Sequence, residues 1–93
     1  VSATEGFEMG LASEVVADDQ VLDRALEMAD TIAALPPLAI RQTKEVVLAG
    51  ADCPLDAALT LERKAFDILF DTVDQKEGMR AFIEKRNPEF KGK

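Results

Sequence analysis

The stretch LPPLAIRQTKEVVLAG, residues 35–50, contains the end of one helix and the whole of the next. Proline lacks a backbone N–H and its ring clashes with the preceding helical turn, so Pro36 and Pro37 end the upstream helix. Because proline is tolerated in a first turn, the same pair also begins the following helix. Gly50 provides a stop for that helix. The stretch therefore predicts two helices joined by a very short connection.

Helical patterns continue on both sides of this stretch. Upstream, residues 18–35 place apolar side chains at positions 22, 25, 26, 29, 32 and 33, which form one stripe on a helix. Downstream, Asp52 is expected to cap a fourth helix that has Pro54 in its first turn. The apolar positions of that helix extend from Leu55 to Phe70, so it is predicted to have about four turns.

A short first helix is predicted at the start of the chain. Ser2 and Glu5 have the spacing of a capping box, in which each residue satisfies a backbone N–H of the other. Gly10 can end this helix in a left-handed conformation. Residues 11–17 then form a short extended link, which has no second strand with which to pair.

A last helix is predicted at about residues 73–86. Thr72 and Gln75 repeat the capping-box spacing at its start, and Asn87-Pro88 ends it. The predicted fold class is therefore mainly α, with about five helices and one short extended link in a single domain. A chain of 93 residues buries too little surface for a thick core, so we expect it to depend on a partner.

Composition excludes several classes of function. The chain has no histidine and one cysteine, Cys53, so serine–histidine and cysteine–histidine nucleophiles and zinc clusters are excluded within it. We expect no metal site, and the single cysteine fits a reducing compartment such as the cytoplasm. A net charge of −7 argues against a nucleic-acid partner. No apolar run is long enough to span a membrane, and no signal peptide is recognisable.

The charge is unevenly distributed. Residues 76–93 contain six basic and three acidic side chains, whereas the rest of the chain is strongly acidic. Within this basic end, Phe82 lies three residues from Lys85 and four from Arg86, which would place an aromatic ring beside a cation on one helix face. Such a face could receive a planar ring and a phosphate. The alternative is a core Phe82, a solvated Lys85 and an incidental Gly78.

Three other candidates favour structural interpretations. Glu62 interrupts the apolar stripe of the fourth helix and could be an acid with a raised pKa, but an ion pair at the edge of a packed face is the commoner case. Cys53 precedes a proline at a helix start, yet no activating group is visible. Glu5 and Glu8 share a face of the first helix and need no role beyond solvation.

Three segments, taken in order, resemble the C-terminal part of the crotonase superfamily, and enoyl-CoA hydratases above all. They are SATEGFEMGLASEVV, AALPPLAIRQTKEVV and LERKAFDILFDTVDQKEGMRAFIEKRNPEFKG. The resemblance covers the whole chain, and residues 77–92, EGMRAFIEKRNPEFKG, are its most specific part. Gly6 and Ala12 depart from it, where alanine and valine are usual.

The resemblance implies a fold and an assembly. The fold is the helical C-terminal, oligomerisation region of the ClpP/crotonase-like fold, in which 1–93 is one domain. Residues 1–17 would end the crotonase core, and residues 18–93 would form the trimerisation region. Implied partners are the missing N-terminal core and further copies of the chain, in a homotrimer or hexamer.

The resemblance also implies a reaction and a binding site. Family members add water to 2-enoyl-CoA thioesters with two glutamates and an oxyanion hole, all upstream of the residue that matches Val1. We therefore expect no catalytic residue here, no activity of the chain alone, and no cofactor, because CoA is part of the substrate. Phe82 and Lys85 would contact CoA, with Lys91 and Phe90 as weaker candidates for the same surface. The alternative is a free-standing, non-catalytic helical interaction module of crotonase descent.

Overall fold

The computed structural model describes all 93 residues, in two compact units, Val1–Thr31 and Ile32–Lys93. It contains five α-helices, a single 3-10 helix and no β-strand, so the predicted mainly-α class with five helices is confirmed. No helix is both long and apolar enough to traverse a bilayer. The predicted boundary at residue 17 stays a prediction. The helices are α1 (Ala3–Glu8), α2 (Val21–Ala33), α3 (Pro37–Ala51), α4 (Leu55–Phe70) and α5 (Val73–Glu84), and the 3-10 turn Asp18–Gln20 precedes α2.

The first unit begins with the predicted capping box. The Ser2 N–H donates to the Glu5 carboxylate at 2.6 Å, and the Glu5 N–H donates to the Ser2 hydroxyl at 3.2 Å. The link that follows α1 is irregular, and an ion pair fastens it to α2, because Arg24 Nε donates to both carboxylate oxygens of Glu14 at 3.0 Å. The helix predicted at 18–35 is shorter, since its first residues form the 3-10 turn.

The second unit is built on α3 packed against α4. A β-carbon on Gly50 would lie 3.4 Å from the β-carbon of Ala58, so small residues permit this close approach. The prediction that Asp52 caps α4 is wrong. It follows α3 and donates its own N–H to the Ala49 carbonyl, and α4 begins after Pro54 without a side-chain cap. Asp52 lies too far before the first turn of α4 to reach its free N–H groups.

The junction between α4 and α5 has the predicted threonine cap. The Gln75 N–H donates to the Thr72 hydroxyl oxygen at 3.1 Å, and that hydroxyl donates to the Leu69 carbonyl at 2.7 Å. The Gln75 side chain returns no bond, so the box is half formed. Because Thr72 bonds to both helices, it fixes where α4 ends and α5 begins.

The interior of the chain is small. Ala65 on α4 and Ala81 on α5 are its only buried apolar side chains. The rings of Phe66 and Phe70 are tilted against each other with their centroids 5.3 Å apart, yet the two residues are 59% and 57% exposed. Most of the large apolar surface of α4 therefore faces outward, which is unfavourable for a helix that has no further partner.

Candidate functional site

The end of α5 has an unusual residue in a common motif. Lys85 adopts a left-handed conformation (φ 53°, ψ 42°) and is the only residue other than glycine with a positive φ. Its N–H donates to the Phe82 carbonyl at 3.3 Å, and the next N–H, that of Arg86, donates to the Ala81 carbonyl at 3.1 Å. These two bonds define a Schellman motif, whose left-handed position is usually occupied by glycine.

The same motif ends α1, and there the left-handed residue is a glycine. Gly10 has φ 77°, its N–H donates to the Phe7 carbonyl at 3.0 Å, and the Leu11 N–H donates to the Gly6 carbonyl at 2.8 Å. A left-handed conformation costs a residue with a β-carbon about 1–2 kcal/mol. The chain therefore retains a lysine at 85 at a cost in stability that it avoids at 10.

The aromatic and cationic pair predicted at the end of α5 is exposed. Phe82 is 83% exposed in the last turn of the helix, and the Lys85 side chain is exposed and makes no ion pair. One part of the prediction is wrong. The helix ends at Glu84 rather than near 86, so Lys85 follows the helix and does not share a helical face with Phe82. The two residues are brought to one end of α5 by the Schellman turn.

Arg86, the other cation at Phe82, is engaged within the chain. Its guanidinium donates to both carboxylate oxygens of Glu77, at 2.6 and 3.0 Å, and to Glu84 at 2.6 Å. The two bonds from Arg86 to Glu77, with one from the Glu89 N–H, lower the pKa of Glu77 from 4.5 to about 2. The pKa of Arg86 is raised by the same two carboxylates. Lys85 is therefore the unpaired cation at this end of the helix.

The C-terminal tail, residues 86–93, folds back along α5. The buried carboxylate of Asp74 accepts N–H groups from Lys91 at 2.6 Å and Gly92 at 2.8 Å. The Lys93 carbonyl accepts the N–H groups of Val73 at 2.8 Å and Asp74 at 3.2 Å. Sequence reasoning missed Asp74, because an acid in the first turn of a helix is common and indicates nothing about a distant segment.

The two remaining tail candidates have different surroundings. Phe90 is half-buried, and its ring lies 3.6 Å from where a β-carbon on Gly78 would stand. The close approach that a helical glycine suggests is therefore made by a side chain of the tail. Lys91 is exposed and lines a groove of about 530 Å³ between α5 and the tail, together with Arg80. Only Lys91 of the two remains available to a ligand.

The other candidates are not arranged for catalysis or metal binding. Glu62 is exposed and forms no ion pair, in contrast to the expected paired carboxylate. The Cys53 thiol is half-buried and donates weakly to the Gly50 carbonyl at 3.7 Å. Glu5 serves the capping box, where the Ser2 N–H and hydroxyl lower its pKa. No three acidic or cysteine side chains lie close enough to hold a metal ion.

Comparison with known proteins defines the class of this helical chain. It superimposes on an enoyl-CoA hydratase/isomerase from Mycobacterium paratuberculosis with a TM-score of 0.94 and 40% identity, covering 100% of this chain and 37% of that one. For an enoyl-CoA hydratase from Bacillus anthracis the TM-score is 0.95 at 38% identity, covering 100% and 36%. The architecture is thus the helical C-terminal part of the crotonase fold.

The family follows from the sequence match. The family model described as enoyl-CoA hydratase/isomerase matches residues 1–93, so the chain belongs to the enoyl-CoA hydratase/isomerase family of the crotonase superfamily. The short-chain-enoyl-CoA hydratase of Clostridium acetobutylicum is 38% identical over 89 residues, which is 96% of this chain and 34% of that protein. The chain spans about a third of the length of the curated relatives it matches.

Proposed function

We propose that this chain is the CoA-contacting and assembly part of an enzyme that adds water reversibly to 2-enoyl-CoA thioesters. The family match supports the reaction class. The observation that carries the binding role is Lys85, an exposed and unpaired cation in a left-handed turn where glycine would be more stable. Backbone strain of this kind is kept where the side chain has a function.

Phe82 and Lys85 are proposed to bind different parts of the thioester. Phe82, 83% exposed at the end of α5, offers an apolar ring to the acyl or pantetheine portion. Lys85 offers a compact positive charge to the phosphates or the adenine end of CoA. Lys91, exposed on the tail, adds a second cation. In this proposal the end of α5 and the C-terminal tail both reach the active site of a neighbouring subunit.

The catalytic groups of the proposed reaction lie outside these 93 residues. Two glutamates would deliver the water oxygen and a proton, and two backbone N–H groups would stabilise the thioester enolate. Three glutamates of the chain support this assignment. Glu62 is exposed to solvent, Glu5 accepts the Ser2 N–H, and Glu77 accepts the Arg86 guanidinium. The chain alone is therefore proposed to be inactive, and the longer protein to be the enzyme, working in a reducing compartment such as the cytoplasm.

The exposed apolar faces support the assembly role. Phe66, Ile68 and Phe70 of α4 are between 57% and 64% exposed, and Ile83 of α5 is 75% exposed. Burying such side chains stabilises an interface by roughly 1.5–3 kcal/mol each when burial is complete. The proposed partners are the N-terminal core of the same enzyme and the other subunits of a homotrimer or a dimer of trimers.

The binding role is tested by substituting Lys85→Ala in the longer protein. The KM for crotonyl-CoA is expected to rise about two- to fivefold, from the loss of one largely exposed charge contact. The KM for the crotonyl thioester of pantetheine, which lacks the nucleotide, should not change. Lys93→Ala removes the same charge from the tail and is the control. Equal effects of the two substitutions on crotonyl-CoA would contradict a specific contact at Lys85.

A further inference from the structure

We propose that Asp74 is a positioning residue that holds the C-terminal tail so that the Lys91 ammonium meets the anionic end of a bound CoA. This inference rests on the proposed function, because it assumes that CoA is the ligand. Asp74 itself touches no ligand in this proposal. It acts through the backbone of the tail, 17 and 18 residues further along the chain.

The contact between Asp74 and the tail is reciprocal. The carboxylate, on a residue only 2% exposed, accepts the N–H groups of Lys91 and Gly92 at 2.6 and 2.8 Å. In the other direction, the Lys93 carbonyl accepts the first two N–H groups of α5, those of Val73 and Asp74. Four hydrogen bonds therefore join three successive tail residues to one helix start.

The chemistry of this contact requires a carboxylate. No cation pairs with Asp74, so its charge is stabilised by the two tail N–H groups and by the positive end of the α5 dipole. Both groups facing it are donors. An asparagine side chain of the same shape would direct its NH₂ group at one of the two tail N–H groups. Two buried donors would then face each other with no acceptor between them.

The tail is held at a second point closer to α5's end. Glu77 accepts from the Arg86 guanidinium and from the Glu89 N–H at 3.0 Å. Phe90, which lies between the anchored residues Glu89 and Lys91 in the tail, covers Gly78 with its ring. These contacts hold the backbone of residues 86–92 on both sides of Lys91. They therefore fix the point from which the lysine side chain extends.

Lys91 extends over a groove with a small excess of positive charge. The groove, about 530 Å³ in volume, is lined by Lys91 and Arg80 among others. Two further cations at the groove are already paired, Lys76 with Asp71 and Arg86 with Glu77. That leaves Lys91 and Arg80 facing one carboxylate, that of Glu89, so an anion is favoured there.

The test is a double-mutant cycle in the longer protein with Asp74→Asn and Lys91→Ala. CoA affinity is measured by calorimetry, and hydrogen exchange is measured at the amides of residues 91 and 92. We expect Asp74→Asn to speed this exchange at least tenfold and to weaken CoA binding by the same two- to fivefold as Lys91→Ala. In the Lys91→Ala background Asp74→Asn should have no further effect, because both act through one ammonium group.

Several results would overturn the inference. They are unchanged exchange in Asp74→Asn, unchanged CoA affinity despite faster exchange, or additive losses in the double variant. Asp67→Asn is the control: this exposed aspartate of α4 forms no ion pair and does not line the groove, so it should leave both measurements unchanged. If Asp74→Asn does not assemble, a chain lacking residues 92–93 loses three of the four bonds between the tail and the start of α5 and should reproduce the loss in CoA affinity.

Failure of the proposed function gives a different result. If the unaltered protein does not bind CoA, or if Lys91→Ala binds it normally, the assignment of the ligand is wrong and the inference falls with it. The exchange measurement needs no ligand, so it still shows whether Asp74 holds the tail. The two failures are therefore distinguished by which of the two measurements changes.

Discussion

Replacing Lys85 with glycine removes a charge and relieves backbone strain at the same position, so stability and affinity should change in opposite directions. The left-handed φ of 53° costs a residue with a β-carbon about 1–2 kcal/mol. Glycine offsets about 0.4–1 kcal/mol of that gain, because it has more freedom to lose on folding. We therefore expect Lys85→Gly to raise the free energy of unfolding of the longer protein by about 0.5–1 kcal/mol.

The affinity for substrate should fall in the same variant. An exposed charge contact contributes about 0.5–1 kcal/mol, which corresponds to a two- to fivefold rise in the KM for crotonyl-CoA. Denaturant unfolding measures the first effect and initial-rate kinetics the second. A variant that is both more stable and a weaker binder would show that the lysine is kept for its side chain.

Lys85→Ala separates the two effects. It removes the same charge but keeps a β-carbon in the left-handed turn, so its KM should match that of Lys85→Gly without any gain in stability. The reasoning is refuted if the glycine and alanine variants are equally stable, since the turn would then carry no strain. It is also refuted if glycine lowers stability, because the Lys85 side chain would then stabilise the fold itself.

Three further substitutions test the local structure. The pKa of Glu77 falls from 4.5 when unfolded to about 2 when folded, so its contribution to stability is complete above pH 4.5 and disappears as the pH falls to about 2. The stability difference between the native protein and Glu77→Gln should shrink across that window in acid unfolding curves, and a constant difference would contradict this. Gly78→Ala should leave the stability unchanged or raise it by up to about 1 kcal/mol in thermal melts, because the new β-carbon would lie at an ordinary 3.6 Å from the Phe90 ring. A clear loss of stability would mean that the ring cannot adapt. Thr72→Ala should cost about 1 kcal/mol in denaturant unfolding through the lost cap, whereas Asp52→Ala should cost almost nothing, and equal costs would argue against the assigned caps.

Helix starts and stops with strong local chemistry were predictable from the sequence. Pro36 and Pro37 act on their own and adjacent residues, and so does the Thr72 hydroxyl, so each boundary is decided within one turn. The prediction that Asp52 caps α4 was wrong for a reason that is also local. It has the right residue type for a cap, but two residues separate it from α4, and a side chain cannot span them.

The end of α5 and the course of the tail were not predictable in this way. Glycine is the sequence signal for a left-handed helix stop, so a stop at Lys85 leaves no local trace. The bonds from Asp74 to Lys91 and Gly92 join residues 17 and 18 positions apart, and they form only after the tail has folded back. The pattern of charges along the chain indicated a basic C-terminal end. It did not indicate that Arg86 would form an ion pair with Glu77.

The most direct test of the central claim is a crotonyl-CoA hydration assay on two proteins, the 93-residue chain and a longer protein that adds the proposed N-terminal core. We expect turnover by the longer protein and none by the chain, because the chain would supply binding and assembly surfaces and the N-terminal core would supply the catalytic glutamates. Turnover by the chain alone, or no hydration of any 2-enoyl-CoA thioester by the longer protein, would contradict the account.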